Sequence, residues 1–185
     1  MRIVGGTLSG RRFPGPPGDR TRPTSERVRE ALASALDARG AIEGATVLDL
    51  FAGTGALAFE ALSRGAARAV LVDRDRAVLA ALRESARRLG LTDRVTVLSL
   101  DLSRRLTPGR IRGPFDLVFV DPPYAKMAWV GPRLSELRGE LADGAWVVIE
   151  HAKRHPPTEL PAFLSDGATK SYGDTCIRMT TVETS

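Results

Sequence analysis

A chain of 185 residues with a net charge of +5, one cysteine and two histidines fits one domain with a real core, or one domain and an appendage. Cys176 alone can form neither an internal disulfide nor a cysteine cluster, and His151 and His155 add too little for a metal site, so no metal is expected. No apolar run approaches bilayer length and no signal-peptide pattern opens the chain; a cytoplasmic protein without a membrane partner is expected.

Residues 1–13, MRIVGGTLSGRRF, suit a small hairpin turned by its glycines. Residues 14–23, PGPPGDRTRP, can hold neither ladder nor helix and predict an exposed loop. A helix follows from Thr24 or Ser25, with Val28, Leu32, Ala35 and Leu36 as its apolar stripe, Arg27 and Glu30 on the polar side and Gly40 as its stop. The charge is uneven. The first 29 residues carry seven arginines against Asp19 and Glu26, while the rest of the chain is balanced. A basic arm on a neutral body suggests a polyanionic partner.

From residue 46 strands and helices alternate. Strands are expected at 46–51, 69–73, 94–100, 115–121 and 145–150, and helices at 55–64, 75–89 and 130–142. The strands are apolar on both faces, as in a sheet covered by helices on both sides. The pattern predicts an α/β fold, doubly wound and mostly parallel. Residues 169–182 read instead as two short strands around Tyr172-Gly173-Asp174, an antiparallel hairpin closing one edge of a seven-stranded sheet. Two regions follow: a basic extension over 1–40 and a sheet domain over 41–185.

Acids and glycines gather at the strand ends. DLFAGTGALA (49–58) follows the first strand, and Gly53 and Gly55 let the backbone turn tightly and a ligand come close. Gly53, Gly55 and Ala58 match the dinucleotide fingerprint, a weak signal alone. Asp73 ends the second strand, where a carboxylate can accept ribose hydroxyls, and Asp101 ends the third, placed for an adenine amino group. With their neighbours Phe51, Ala52, Arg74 and Leu102 they outline a site for an adenosine-bearing cofactor. Asp49 precedes the glycines, where it repels phosphate by several kcal/mol at ~4–5 Å in a low dielectric. That favours S-adenosylmethionine, which carries an ammonium and a sulfonium, over a nicotinamide dinucleotide. Capping of the loop by Asp49 is compatible with both.

FVDPPYAK (119–126) ends the fourth strand. Pro122 and Pro123 stiffen the backbone and offer carbonyls, Asp121 offers a carboxylate, and Tyr124 can stack on a base for ~1–3 kcal/mol. Acceptors at Asp121 and Pro122 suit the hydrogens of an exocyclic base amine, whose proton Asp121 can take as the nitrogen is methylated. No metal or covalent nucleophile is required.

These motifs resemble a known family. DLFAGTGAL and DPPY are shared by S-adenosylmethionine-dependent amino-methyltransferases of the Rossmann-like class I fold. RIVGGTLSGRRF, RPTSERVREAL, FAGTGALAFEALSRGA and the late YGDT narrow the resemblance, nearly end to end, to bacterial 16S ribosomal RNA guanine-N2 methyltransferases of the RsmD type. The resemblance implies methylation of N2 of one guanine (966 in standard 16S numbering) on the small ribosomal subunit or a late precursor, by a monomer. It implies Asp49, Gly53, Gly55, Asp73 and Asp101 as cofactor residues and 121–124 as the base holder. Arg22, Thr24, Arg27 and Arg29 would face RNA, with Arg2, Arg11 and Arg12 of the same arm. The departures are the PGPPGDRT loop and the bulky Ala58-Phe59 after the glycines. Rival functions are an adenine-N6 methyltransferase on DNA or RNA, a nicotinamide dehydrogenase, and a non-catalytic RNA-binding assembly factor. Cytosine C5 transfer needs a cysteine at the fourth-strand loop, and ribose 2′-O transfer paired lysines; the chain has neither.

Overall fold

The computed structural model describes residues 1–16, 25–157 and 159–184, and the backbone alone of Tyr124. Seven strands form one sheet: β1 (Thr46–Leu50), β2 (Arg68–Asp73), β3 (Val95–Ser99), β4 (Phe115–Val120), β5 (Leu141–Ala152), β6 (Ala168–Tyr172) and β7 (Thr175–Thr181). Their order is β3-β2-β1-β4-β5-β7-β6. The first five run parallel, and β7 and β6 join antiparallel at one edge. The order reverses between β1 and β4. In such sheets the crevice outside the strand ends at this reversal is where ligands bind.

Helices α1 (Glu26–Asp37), α2 (Ala56–Ser63) and α3 (Arg76–Leu89) share one apolar cluster with Val47, Leu71, Leu117 and Val148. Helix α4 (Val130–Glu136) packs on the other face with Leu48, Val72, Val118 and Val147. Side chains alternate along a strand, so both clusters take apolar residues from β1, β4 and β5. That is why these strands read as unbroken apolar runs. β3, at the parallel edge of the sheet, is only half-buried.

The helix stops follow local chemistry. Asp75 caps α3 by accepting from the N–H groups of Ala77 (2.8 Å) and Val78 (3.3 Å), and Gly90 closes it in the left-handed conformation. Ser25 caps α1 from the Val28 N–H. Two expectations are corrected. The helix expected over 130–142 ends at Glu136; a 3-10 turn over Arg138–Glu140 follows, and β5 begins at Leu141, paired with Phe115 across a register shift. The hairpin expected over 1–13 is a single antiparallel bridge, Arg2 to Arg12, around a 3-10 turn at Gly6–Leu8. Gly6, at φ +74, lies so close to α2 that a Cβ would strike the Ser63 carbonyl.

The N-terminal segment is built into the sheet domain. Ile3 and Phe13 are buried in the α1–α3 cluster, and Phe13 meets Phe59 edge to face at 5.2 Å, worth about 0.5–1.5 kcal/mol beyond the buried area. The bulk of Phe59 thus has a structural use. Glu60 accepts from the N–H groups of Val4 (2.9 Å) and Gly5 (2.7 Å), and Ser85 donates to the Pro14 carbonyl. No helix among the described residues is long and apolar enough to cross a membrane.

Candidate active site

A cleft of about 480 Å³ opens at the carboxyl ends of β1, β2, β3, β4 and β5. Its floor is the turn after β1. Phe51 adopts φ 63, unusual for a side chain with a Cβ, and Gly53 and Gly55 adopt φ 52 and 73. A Cβ on Gly55 would lie 2.7 Å from both Leu82 Cδ2 and Phe59 Cε2, so the turn holds its path only with glycine there. The Ala52 N–H donates to the Val72 carbonyl at 2.9 Å, fastening the turn to β2. Strain at Phe51 marks a position held by its surroundings, as functional turns often are.

Asp73 stands across from this turn. One carboxylate oxygen accepts the Gly53 N–H (3.1 Å) and the other the N–H groups of Arg74 (2.7 Å) and Asp75 (3.0 Å). A carboxylate offers about four acceptor sites, so capacity for about one hydroxyl remains. Asp101 accepts from the Ser103 hydroxyl (2.7 Å) and N–H (3.0 Å). Those bonds, with Arg74 and Arg104 nearby, hold its carboxyl below the usual range. Phe51, Ala52, Arg74 and Leu102 also line the cleft.

Asp49 is 2% exposed and still borders the cleft. Burial, then the charges of Asp121 and Asp73, push its carboxyl well above the ordinary range, against a hydrogen bond from the Ala58 N–H at the start of α2. Asp121 follows β4 and is partly buried; burial, then Glu150, raise it well above the ordinary range too. Asp49, Asp73, Asp101, Asp121 and Glu150 face Arg74 and Lys126 around one cavity. The field suits a cation and opposes phosphate. An adenosine-bearing cation fits this donor set: an acceptor at Asp73, another at Asp101, and negative charge at Asp49.

The ledge after β4 lies on the same cleft, with Asp121, Pro122 and Pro123 among its walls. Among the described residues no N–H donates to the Pro122 carbonyl. The Pro123 carbonyl, expected to be open as well, accepts the Lys126 N–H at 2.7 Å and starts the 3-10 turn Tyr124–Trp129. The Tyr124 side chain lies outside what is described. On the rim, Lys126 sits over the Trp129 ring, 5.1 Å from its centre. Sequence patterning assigned no site role to Glu150, Trp129, Lys126, Tyr172 or Ser25, all of which line the cleft. Glu150 had the same signal as the other acids, closing the apolar run AWVVIE.

The arm's arginines divide. Arg12 and Arg27 are exposed. Arg2 pairs with Glu26. Arg11 donates to the carbonyls of Arg88 (2.6 Å) and Leu89 (3.0 Å), capping α3 at its negative end. Arg29 is a correction: expected to face RNA, it is 2% exposed and donates to the Arg2 carbonyl at 2.7 Å, near Glu60. Its position beside Val28 on the inner face of α1 buries it. Arg22 and Thr24 lie outside the described residues.

A family model described as conserved hypothetical protein 95 matches residues 1–181. Ribosomal RNA small subunit methyltransferase D of Escherichia coli K12 is 37% identical over 180 residues, which cover 97% of this chain and 88% of that protein. A solved structure of a hypothetical protein from Thermus thermophilus aligns at a TM-score of 0.77 and 31% identity, over 100% of this chain and 99% of that one. An RNA methyltransferase from Salinibacter ruber in complex with S-adenosyl-L-homocysteine aligns at a TM-score of 0.62 over 87% and 94% of the two chains. At 17% identity that likeness is one of fold.

Proposed function

The chain belongs to the family described as conserved hypothetical protein 95, and from that premise we propose that it is an S-adenosylmethionine-dependent ribosomal RNA methyltransferase acting on the exocyclic N2 of a guanine in 16S RNA, the guanine 966 of the RsmD resemblance. The observation that carries this reading is one cleft lined by both the glycine turn and the Asp121-Pro122 ledge. A relative named ribosomal RNA small subunit methyltransferase D, aligned over 97% of the chain, supports the substrate class.

S-adenosylmethionine, bound in the cleft, supplies an electrophilic methyl on a sulfonium and leaves as S-adenosylhomocysteine. Asp49, Gly53, Asp73 and Asp101 would hold it. Asp49 sets negative charge against its cationic end, and Asp73 and Asp101 accept from its nucleoside. The base amine is a poor nucleophile because its lone pair is conjugated into the ring. Asp121 and the Pro122 carbonyl accept its two hydrogens, which turns the lone pair toward the cleft. As the N–C bond forms and the S–C pair returns to sulfur, nitrogen loses a proton to Asp121, directly or through water. A carboxyl raised above the ordinary range by burial and Glu150 is a better base than an ordinary aspartate. Holding both reactants in one cleft supplies much of the rate.

Incubating the protein with labelled S-adenosylmethionine and small subunits lacking the modification, then identifying the labelled nucleoside by mass spectrometry, tests the proposal. N2-methylguanosine in 16S RNA is expected. N6-methyladenosine would establish the adenine alternative, and no label with RNA still bound would establish a non-catalytic factor.

A further inference from the structure

The mechanism leaves Glu150 without a direct task, although it lines the cleft at 8% exposure. Strands β4 and β5 are parallel neighbours in register, Val120 opposite Ile149. The residues that follow, Asp121 and Glu150, therefore stand side by side at the strand ends, roughly one strand spacing of about 4.8 Å apart. Alternation puts both on the face of Phe119 and Val148, the face that carries α1, α2 and α3. His151, next in the chain, is turned to the other face, where its Nδ1 meets the Ala152 carbonyl. Two carboxylates thus form one edge of the pocket beside the ledge.

Three bases carry an exocyclic amine, and they differ at the adjacent ring nitrogen. Adenine and cytosine present an acceptor there. Guanine presents a donor, N1–H, so its edge offers donors at both positions. We propose that Glu150 is a specificity-determining residue that accepts N1–H of the target guanine while Asp121 holds its N2 amine. The inference rests on the guanine reading and deepens it. A carboxylate at Glu150 meets guanine with a charged hydrogen bond, and meets the bare N1 of adenine, or the N3 of cytosine, lone pair against lone pair. A site that buries a hydrogen-bonding group rejects the analogue that leaves it unpaired far more strongly than an apolar wall rejects a shape. Burial first, and Glu150 after it, raise the Asp121 carboxyl, which agrees with the two groups facing one space.

The test uses 2-aminopurine, which keeps the amine of guanine, replaces N1–H by a bare nitrogen and lacks the O6 carbonyl, so the part owed to Glu150 is read from the change in preference between wild type and variant. Small subunits are reconstituted with 16S RNA carrying guanine or 2-aminopurine at the methylated position, and kcat/KM is measured on both. The full-length wild type is expected to prefer guanine by roughly 10- to 100-fold, the range for one hydrogen bond to a charged group. Glu150→Gln preserves shape, and its amide can donate to the bare nitrogen. The preference is then expected to fall to within about 3-fold, with S-adenosylmethionine binding by calorimetry unchanged. A wild type that treats both bases alike overturns the inference without any variant. So does a Glu150→Gln protein that keeps the full preference, or one that loses S-adenosylmethionine binding in step with methylation. A wild type that labels neither base, or labels another nucleoside, removes the guanine reading itself, a result distinct from loss of Glu150's role.

Discussion

The protein buries acids in two places and treats them in opposite ways. On α2, Glu60 is 2% exposed and fully engaged. It accepts two N–H groups of the N-terminal segment and the Arg64 Nε at 3.1 Å. Arg64 extends the network to Glu30 and Asp37 on α1. At the strand ends, Asp49 is equally buried at 2%, yet among the described residues neither it nor Asp121 has an ion-pair partner. Their strongest electrostatic neighbours are other acids. A buried charge is tolerated when paired and hydrogen-bonded and is costly otherwise. The first cluster is a fastener, complete within the chain. The second is the pattern of a site that awaits positive charge and hydrogen-bond donors from outside.

The contrast can be broken from either side. The largest effect is expected at the fastener: Glu60→Ala strands two N–H groups and removes a partner of Arg64. Urea denaturation should show a loss of about 3–5 kcal/mol; a loss below ~1 kcal/mol would mean the network is dispensable. At the cleft the sign reverses. The folded protein holds the Asp49 proton more tightly than the unfolded chain, so this group's contribution is complete below the unfolded value of about 3.9 and is lost as pH rises through the raised folded value. Asp49→Asn is expected to stabilise the protein at neutral pH by about 1 kcal/mol. That gain should vanish near pH 3–4, while S-adenosylmethionine binding weakens at neutral pH. A destabilised Asn variant would place Asp49 with the fasteners. The smallest effects belong to the arm. Replacing Arg12 and Arg27 by Gln should flatten the dependence of log K on log salt for RNA by about 1.4, at about 0.7 per single-strand phosphate contact. Arg11→Gln should instead cost stability by about 0.3–1 kcal/mol through the α3 terminus, with the salt slope kept.

Much of this division can be read before folding. The alternation of strands and helices, the antiparallel closing hairpin and the acids at strand ends are local signals, and they are found where period or end chemistry puts them, apart from the helix that stops at Glu136 and the early start of β5. The resemblance to the RsmD type is borne out by the family match over residues 1–181 together with the 37% identity to ribosomal RNA small subunit methyltransferase D of Escherichia coli K12. What escaped depends on distant partners. Arg29 reads as one more arm arginine until helix α1 turns it toward Glu60, 31 positions later. Glu150 carries the same strand-end signal as Asp121, but only the pairing of β4 with β5 makes them neighbours. The Pro123 carbonyl is taken by Lys126 because the chain winds into a 3-10 turn that proline composition alone does not announce. β5 starts four residues early because Leu141 finds Phe115 across a register shift.

The account turns on the ledge and the glycine turn being separate halves of one cleft, one for the base and one for the methyl donor. Calorimetry of S-adenosylmethionine binding, set beside single-turnover methylation of small subunits, for wild type and Asp121→Ala, tests this most directly. The account predicts a dissociation constant within about 3-fold of wild type and a methylation rate lowered by at least ~10³-fold, the scale of a lost base and its positioning. Binding and methylation falling together by the same factor would place Asp121 in the donor's half and contradict it.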